Sequence, residues 1–221
     1  MANNKTTQMN SKILKTTLCL ALSAFALSAS AQKTYTEGVI TYNVNSPQGA
    51  IEAKSYFRGD SSAYSAQQGP ADIKVITTKD GNYIAVIVDV PVANLQKAAI
   101  GTPAEIEEGK AQQPKLTFTP TTETKEISGF KCKKVNVKDE KSGTNFEAWI
   151  TNDVVVPTGM LTKLFEGVGG VPVQFKTIQM GTTIDVTLKS ITADKVPAGT
   201  FGIPAGFEKI TLTDLKSLGG N

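Results

Sequence analysis

The 221-residue chain contains no histidine, two cysteines, one arginine and one tryptophan. Each shortage removes a class of function. Without histidine the commonest general base and metal ligand near neutral pH is missing. Two cysteines with no histidine cannot assemble a Cys/His zinc site. No dinucleotide fingerprint, P-loop or G-x-S-x-G nucleophile elbow occurs. The run Gly167-Val168-Gly169-Gly170 follows a helix-like stretch and precedes a strand, the reverse of the order that cradles phosphate. The expectation is therefore a protein that is not an enzyme and carries no cofactor and no metal.

Charge excludes more. Lys5, Lys12 and Lys15 are the basic residues of the first 31, which hold no acid, so residues 32–221 carry 20 basic and 20 acidic side chains. A formally neutral chain with Arg58 as its one arginine has no field to draw nucleic acid or an anionic membrane. The three lysines precede an apolar run at 18–27 and the small residues Ala29-Ser30-Ala31. That is the pattern of a cleavable signal peptide. The run falls well short of the roughly 20 residues that span a bilayer as a helix, so no transmembrane segment is expected. Cys19 stands near the start of the run rather than just after it, which argues against lipidation at a cysteine. The expected mature chain begins at Gln32 without an acyl group, and is periplasmic or secreted.

What remains, residues 32–221, reads as one β-rich domain with a single thiol, Cys132, that cannot be stapled internally. β-Branched and aromatic residues alternate with polar ones between turn signals. Residues 38–44 place Ile40, Tyr42 and Val44 on one face, and 51–60 alternate Ile51, Ala53, Ser55 and Phe57 against Glu52, Lys54, Tyr56 and Arg58. Strands are also predicted at 73–77, 83–90, 115–120, 131–138, 145–151, 171–179 and 182–191. The stretch 83–90 is almost continuously apolar, as in a strand covered on both faces or one lining a cavity. Residues 91–114 break the pattern. Thr102-Pro103-Ala104-Glu105 resembles a capping box with proline at the first helical position, so a short helix closing near Gly109 is predicted inside a loop. Its few apolar positions, Ile106 with Ala98, Ala99 and Ile100 before it, make 91–114 a candidate mobile cover. A second helical face is spaced by Met160, Leu161, Leu164 and Phe165. The fold class is mainly β: a strongly curved antiparallel sheet or incomplete β-barrel of about ten strands, with one or two short helices.

Four stretches fall in a familiar order: Ile127-Ser128-Gly129-Phe130-Lys131-Cys132-Lys133-Lys134, Glu147-Ala148-Trp149-Ile150-Thr151, Gly170-Val171-Pro172-Val173, and Phe201-Gly202-Ile203-Pro204-Ala205-Gly206-Phe207. The series resembles an uncharacterised secreted domain-of-unknown-function family of Bacteroidetes-type bacteria, itself distantly similar to the periplasmic lipoprotein-localisation carriers. The resemblance spans residues 37–210. It implies an incompletely closed barrel wrapped around helices and an apolar cavity for acyl chains. Arg58 is the one residue that could stand for the arginine of the carriers' cavity.

These readings lead to a non-enzymatic periplasmic or secreted binding protein that holds a lipid or other apolar small molecule in a curved-sheet cavity. The alternative is an extracytoplasmic protein-interaction or structural module with a solid core. Strand parity nominates Tyr42, Phe57, Val86, Val88, Phe118, Phe175, Val186 and Leu188 as lining, although alternation by itself marks only a buried face. Trp149 shares a face with Glu147 and Thr151, opposite Phe146, Ala148 and Ile150. It is the best aromatic candidate for a binding surface, against the plainer reading that it packs under a helix. Cys132 is read as a buried structural cysteine. The acidic groups Asp139/Glu140, Glu105 with Glu107/Glu108, and Asp60 beside Ser61-Ser62 fall in turns or on a solvated helix, where carboxylates need no function.

Overall fold

The computed structural model describes residues 32–47, 49–179 and 182–218. The signal peptide and Cys19 read from the sequence lie outside them, as do residues 180–181 between two of the predicted strands. The first strands are β1 (Lys33–Thr34), β2 (Glu37–Ser46), β3 (Gly49–Arg58), β4 (Ser61–Gln68), β5 (Ala71–Thr78), β6 (Ile84–Val90) and β7 (Leu95–Ile100). From β2 to β7 each strand pairs antiparallel with the next. After α1 (Pro103–Gln112) come β8 (Leu116–Ile127), β9 (Phe130–Asp139), β10 (Asn145–Thr151), β11 (Val154–Val155), β12 (Val171–Gln179) and β13 (Thr182–Thr192). β14 (Glu208–Thr211) and α2 (Leu212–Leu218) complete the described chain.

One twelve-stranded sheet results, in the order β14-β7-β6-β5-β4-β3-β2-β13-β12-β10-β9-β8. It is curved and not closed into a barrel. Its single parallel pair is β14 with β7; β1 and β11 form a separate two-stranded parallel sheet. The two meanders meet at the β2–β13 seam. Gly38 makes the close approach there possible, because a Cβ on it would stand 2.1 Å from the carbonyl oxygen of Thr192.

The period-2 patterns became faces. Ile40, Tyr42 and Val44 are each 2 % exposed, and Tyr42 stands directly between Ala53 on β3 and Leu188 on β13. This inner face carries the main core, including Phe57, Tyr64, Val86, Val137, Val173, Phe175 and Val186. On the outer face Ala63, Ile76, Ala85, Ile87 and Ala98 pack under Phe201, Ile203 and Phe207. β6 is thus covered on both sides, which explains its unbroken apolar run.

Several local expectations are corrected. Residues 91–114 are not one loop: Leu95–Ile100 is strand β7, hydrogen-bonded between β6 and β14, with Ala98 and Ala99 fully buried. Alanine has little β-propensity of its own, and pairing on both sides overrides it. β4, of sequence SSAYSAQQ, was not expected as a strand for the same reason. The second helical face is a 3₁₀ segment, Met160–Phe165, whose start is capped by the Gly159 N–H donating to Thr162 Oγ1 at 3.0 Å. β14 and α2 were not foreseen.

Candidate functional site

The inner face of an open curved sheet needs a cover, and here it receives two. The 3₁₀ segment lies inside the curve. Its Leu161, Thr162 and Phe165 are buried, Gly159 stands against Ser55 of β3, and Phe165 meets Phe118 of β8 at 5.8 Å and Phe175 of β12 at 4.8 Å between ring centroids. The second cover, α1, buries none of its residues. It runs from the β7 end at Gly101 to the start of β8 and borders a cleft beside the β5–β6 turn.

Polar contacts hold α1. Thr102 and Glu105 form a full capping box, with the Thr102 N–H and hydroxyl both donating to Glu105 Oε2 at 2.8 and 2.9 Å. The other oxygen, Oε1, accepts the Thr213 N–H at 2.8 Å and its hydroxyl at 2.6 Å, tying α1 to the start of α2. In the last turn, Lys110 donates to Asn82 in the β5–β6 turn. At the far end the Lys141 ammonium donates to the carbonyls of Ala111 and Gln113, both at 2.6 Å.

Four donors converge on Glu105, and the Thr213 hydroxyl foremost, then the Thr102 and Thr213 amides, hold its carboxyl down at about 2. A carboxylate depressed in the folded state contributes stability above its ordinary range near 4.5 and loses it as pH falls through its folded value. The amide signal of Thr213 is therefore expected to keep its position down to about pH 3 and to titrate near 2. A midpoint at the ordinary carboxylate value would show that the tie between α1 and α2 does not form in solution.

Clefts open on both sides of the 3₁₀ segment. One, of about 360 Å³, lies between the β5–β6 turn, α1 and Gly159–Met160, with Ile84, Ile106, Met160 and Leu212 in its lining. The other, of about 200 Å³, lies at the opposite end of the sheet, where Leu116, Phe146 and Leu164 meet the β9–β10 turn. A third, of about 500 Å³, is set at the β8–β10 strand ends, lined chiefly by charged and polar side chains around Cys132.

None of the nine residues nominated from the sequence lines these clefts. Tyr42, Phe57, Val86, Phe175, Val186 and Leu188 are buried in the main core, and Val88, Phe118 and Trp149 pack against it. Burial alone pushes the Tyr42 phenol far above its ordinary value. Trp149 lies under the Lys125 ammonium, 4.1 Å from its ring centroid, rather than under a helix. Lys125 also donates to Gln174. Arg58 faces outward, over Phe201 and 3.8 Å from Glu37, so it cannot serve as an arginine inside the curve.

The cleft residues were harder to see because each is a lone apolar side chain at the edge of a different element. Ile106 and Met160 were visible as helical-face positions, while Ile84 and Leu212 carried no separate signal. Cys132 is 1 % exposed, and burial pushes its thiol up to about 11. Asp139 ties the β9–β10 turn, accepting from Lys115, Lys141 and Ser142.

Among the described residues no group of three or more His, Cys, Asp or Glu side chains could hold a metal ion. No described helix is long and apolar enough to cross a membrane. No protein-family model matches the chain, and no curated protein matches it. Among solved structures it is similar to LprF from Mycobacterium bovis, with a TM-score of 0.32 and 11 % identity over 78 % of this chain and 90 % of that one.

Proposed function

We propose that the protein is a non-enzymatic, extracytoplasmic binding protein that carries a lipid or other apolar ligand beneath α1. The observation that carries this reading is the contrast between the two covers of the curved sheet. The 3₁₀ segment is buried by apolar contacts, whereas α1 is held by hydrogen bonds at three points and buries no residue. Such a helix can leave without unfolding the sheet, because its own side chains give up little buried apolar surface. The partly buried apolar side chains beneath it would then be available to a ligand. The resemblance of the sequence to a secreted family that is itself distantly similar to the lipoprotein-localisation carriers is in keeping with this reading, and the composition of residues 1–31 supports export. Against catalysis stand the missing histidine and a thiol that remains protonated at neutral pH.

A specific observation favours the second reading, an interaction module with a solid core: all nine nominated lining residues are core or core-packed. Organic-solvent extraction of the purified protein with mass spectrometry, followed by titration with a fluorescent fatty-acid analogue, separates the two. Co-purifying lipid or saturable probe binding is expected. Absence of both would leave the solid-core module.

A further inference from the structure

We propose that the cleft between α1, the β5–β6 turn and the 3₁₀ segment binds a single-chain amphiphile with an anionic head, such as a fatty acid. The proposal rests on the carrier reading above and gives it a site and a head group. The floor of the cleft is apolar: Ile84, Ile106, Met160 and Leu212, contributed by β6, α1, the 3₁₀ segment and α2, all line it and all are only partly buried. Four such side chains from four elements, meeting around about 360 Å³, leave apolar surface in contact with water that an alkyl chain would cover.

The rim is cationic where it is free to act. Lys79, Lys110 and Lys163 line the cleft with two acids, Asp80 and Glu105. Both acids are occupied: Asp80 accepts from the Thr78 hydroxyl and from the amide and side chain of Asn82, and Glu105 accepts from Thr102 and Thr213. The lysines are held more loosely: besides their ion pairs, Lys110 donates to Asn82 and Lys163 to the carbonyl of Lys79, both neutral acceptors. Lys110 and Lys163 pair with Glu107 and Glu166, each three residues away on an exposed surface, where such pairs are weak and exchangeable. The Lys79 ammonium has no carboxylate partner among the described residues. An incoming carboxylate can therefore meet three ammonium groups while its chain covers the floor. The larger cleft around Cys132 lacks such a floor. Its apolar side chains are Ile150 and Cys132 alone.

Calorimetric titration tests the site, using octanoate, decanoate and dodecanoate together with dodecanol and dodecyltrimethylammonium, all below micelle formation. Affinity should rise about fourfold per added methylene. Dodecanoate should exceed the cationic amphiphile by on the order of tenfold at low salt, a margin that narrows as salt is added. The combined Lys79→Ala and Lys163→Ala variant, which leaves the Lys110–Asn82 contact of α1 in place, should bring dodecanoate most of the way down to the affinity of dodecanol and leave dodecanol unchanged. Met160→Trp and Ile106→Trp, each checked for native circular dichroism, should both abolish binding by filling the cleft. Dodecanoate binding that survives both tryptophan variants would overturn the site and leave the carrier reading standing. A preference for the cation would overturn the head group. No binding by any amphiphile to the unaltered protein would overturn the site, and the carrier reading would fall with it where solvent extraction also yields no lipid.

Discussion

Phe165→Ala is expected to destabilise the protein by about 3–5 kcal/mol, in the range for deleting a buried aromatic side chain. Phe165 is 2 % exposed and stands between Phe118 and Phe175, the second of these in an edge-on contact at 4.8 Å. Removing the ring leaves a cavity among three elements, β8, β12 and the 3₁₀ segment, and takes away two aromatic contacts as well. For a domain of this size each kcal/mol lowers the melting temperature by roughly 2–4 °C, so a fall of about 6–20 °C is anticipated. Val92→Ala, at a site 83 % exposed, is the control and should change stability by less than about 0.5 kcal/mol. Urea unfolding of the two variants measures both. A Phe165→Ala loss as small as that of the control would mean that the 3₁₀ segment does not anchor the core.

Amide hydrogen exchange should divide residues 91–114 sharply in two. The Leu95–Ile100 amides, paired with β6 and β14 over fully buried alanines, should exchange only on global or near-global opening. That means slower than an unstructured chain by on the order of 10³ or more. The 103–112 amides should exchange much faster than those of the strand, because a ten-residue helix is marginal without tertiary burial and this one, held by side-chain hydrogen bonds, buries no residue. Addition of dodecanoate should slow 103–112 and leave 95–100 unchanged. Equal protection of the two stretches in the ligand-free protein would show α1 to be part of the core, and the idea of a releasable cover would then fail.

The division bears on how much of the site could be read from the chain. The capping box at Thr102–Glu105 was legible, because capping depends on a few neighbouring residues whose side chains reach their own backbone. That Glu105 also ties down Thr213 was not, since the partner lies 108 positions away. Lys141 follows Asp139 and Glu140 in the β9–β10 turn and carries no signal of its own in the sequence. Its role in holding Ala111 and Gln113 arises because β9 returns its end to the place where α1 finishes.

By itself the sequence determined the fold class and the inward face of most strands. Alternation reports which side of a strand avoids water, a property set by each residue and its neighbours two positions away. Tyr42, Phe57, Val186 and Leu188 are buried for that reason. Whether the space they face is hollow or filled was decided only by tertiary structure. The 3₁₀ segment enters the curve and packs Leu161 and Phe165 against strands remote from it in sequence. Tertiary pairing likewise made strands of SSAYSAQQ and LQKAAI, whose small side chains express no preference until hydrogen-bonded neighbours on both sides supply one. The apolar surface left facing water then fell beneath α1, where the ends of four elements meet and no local pattern records their approach.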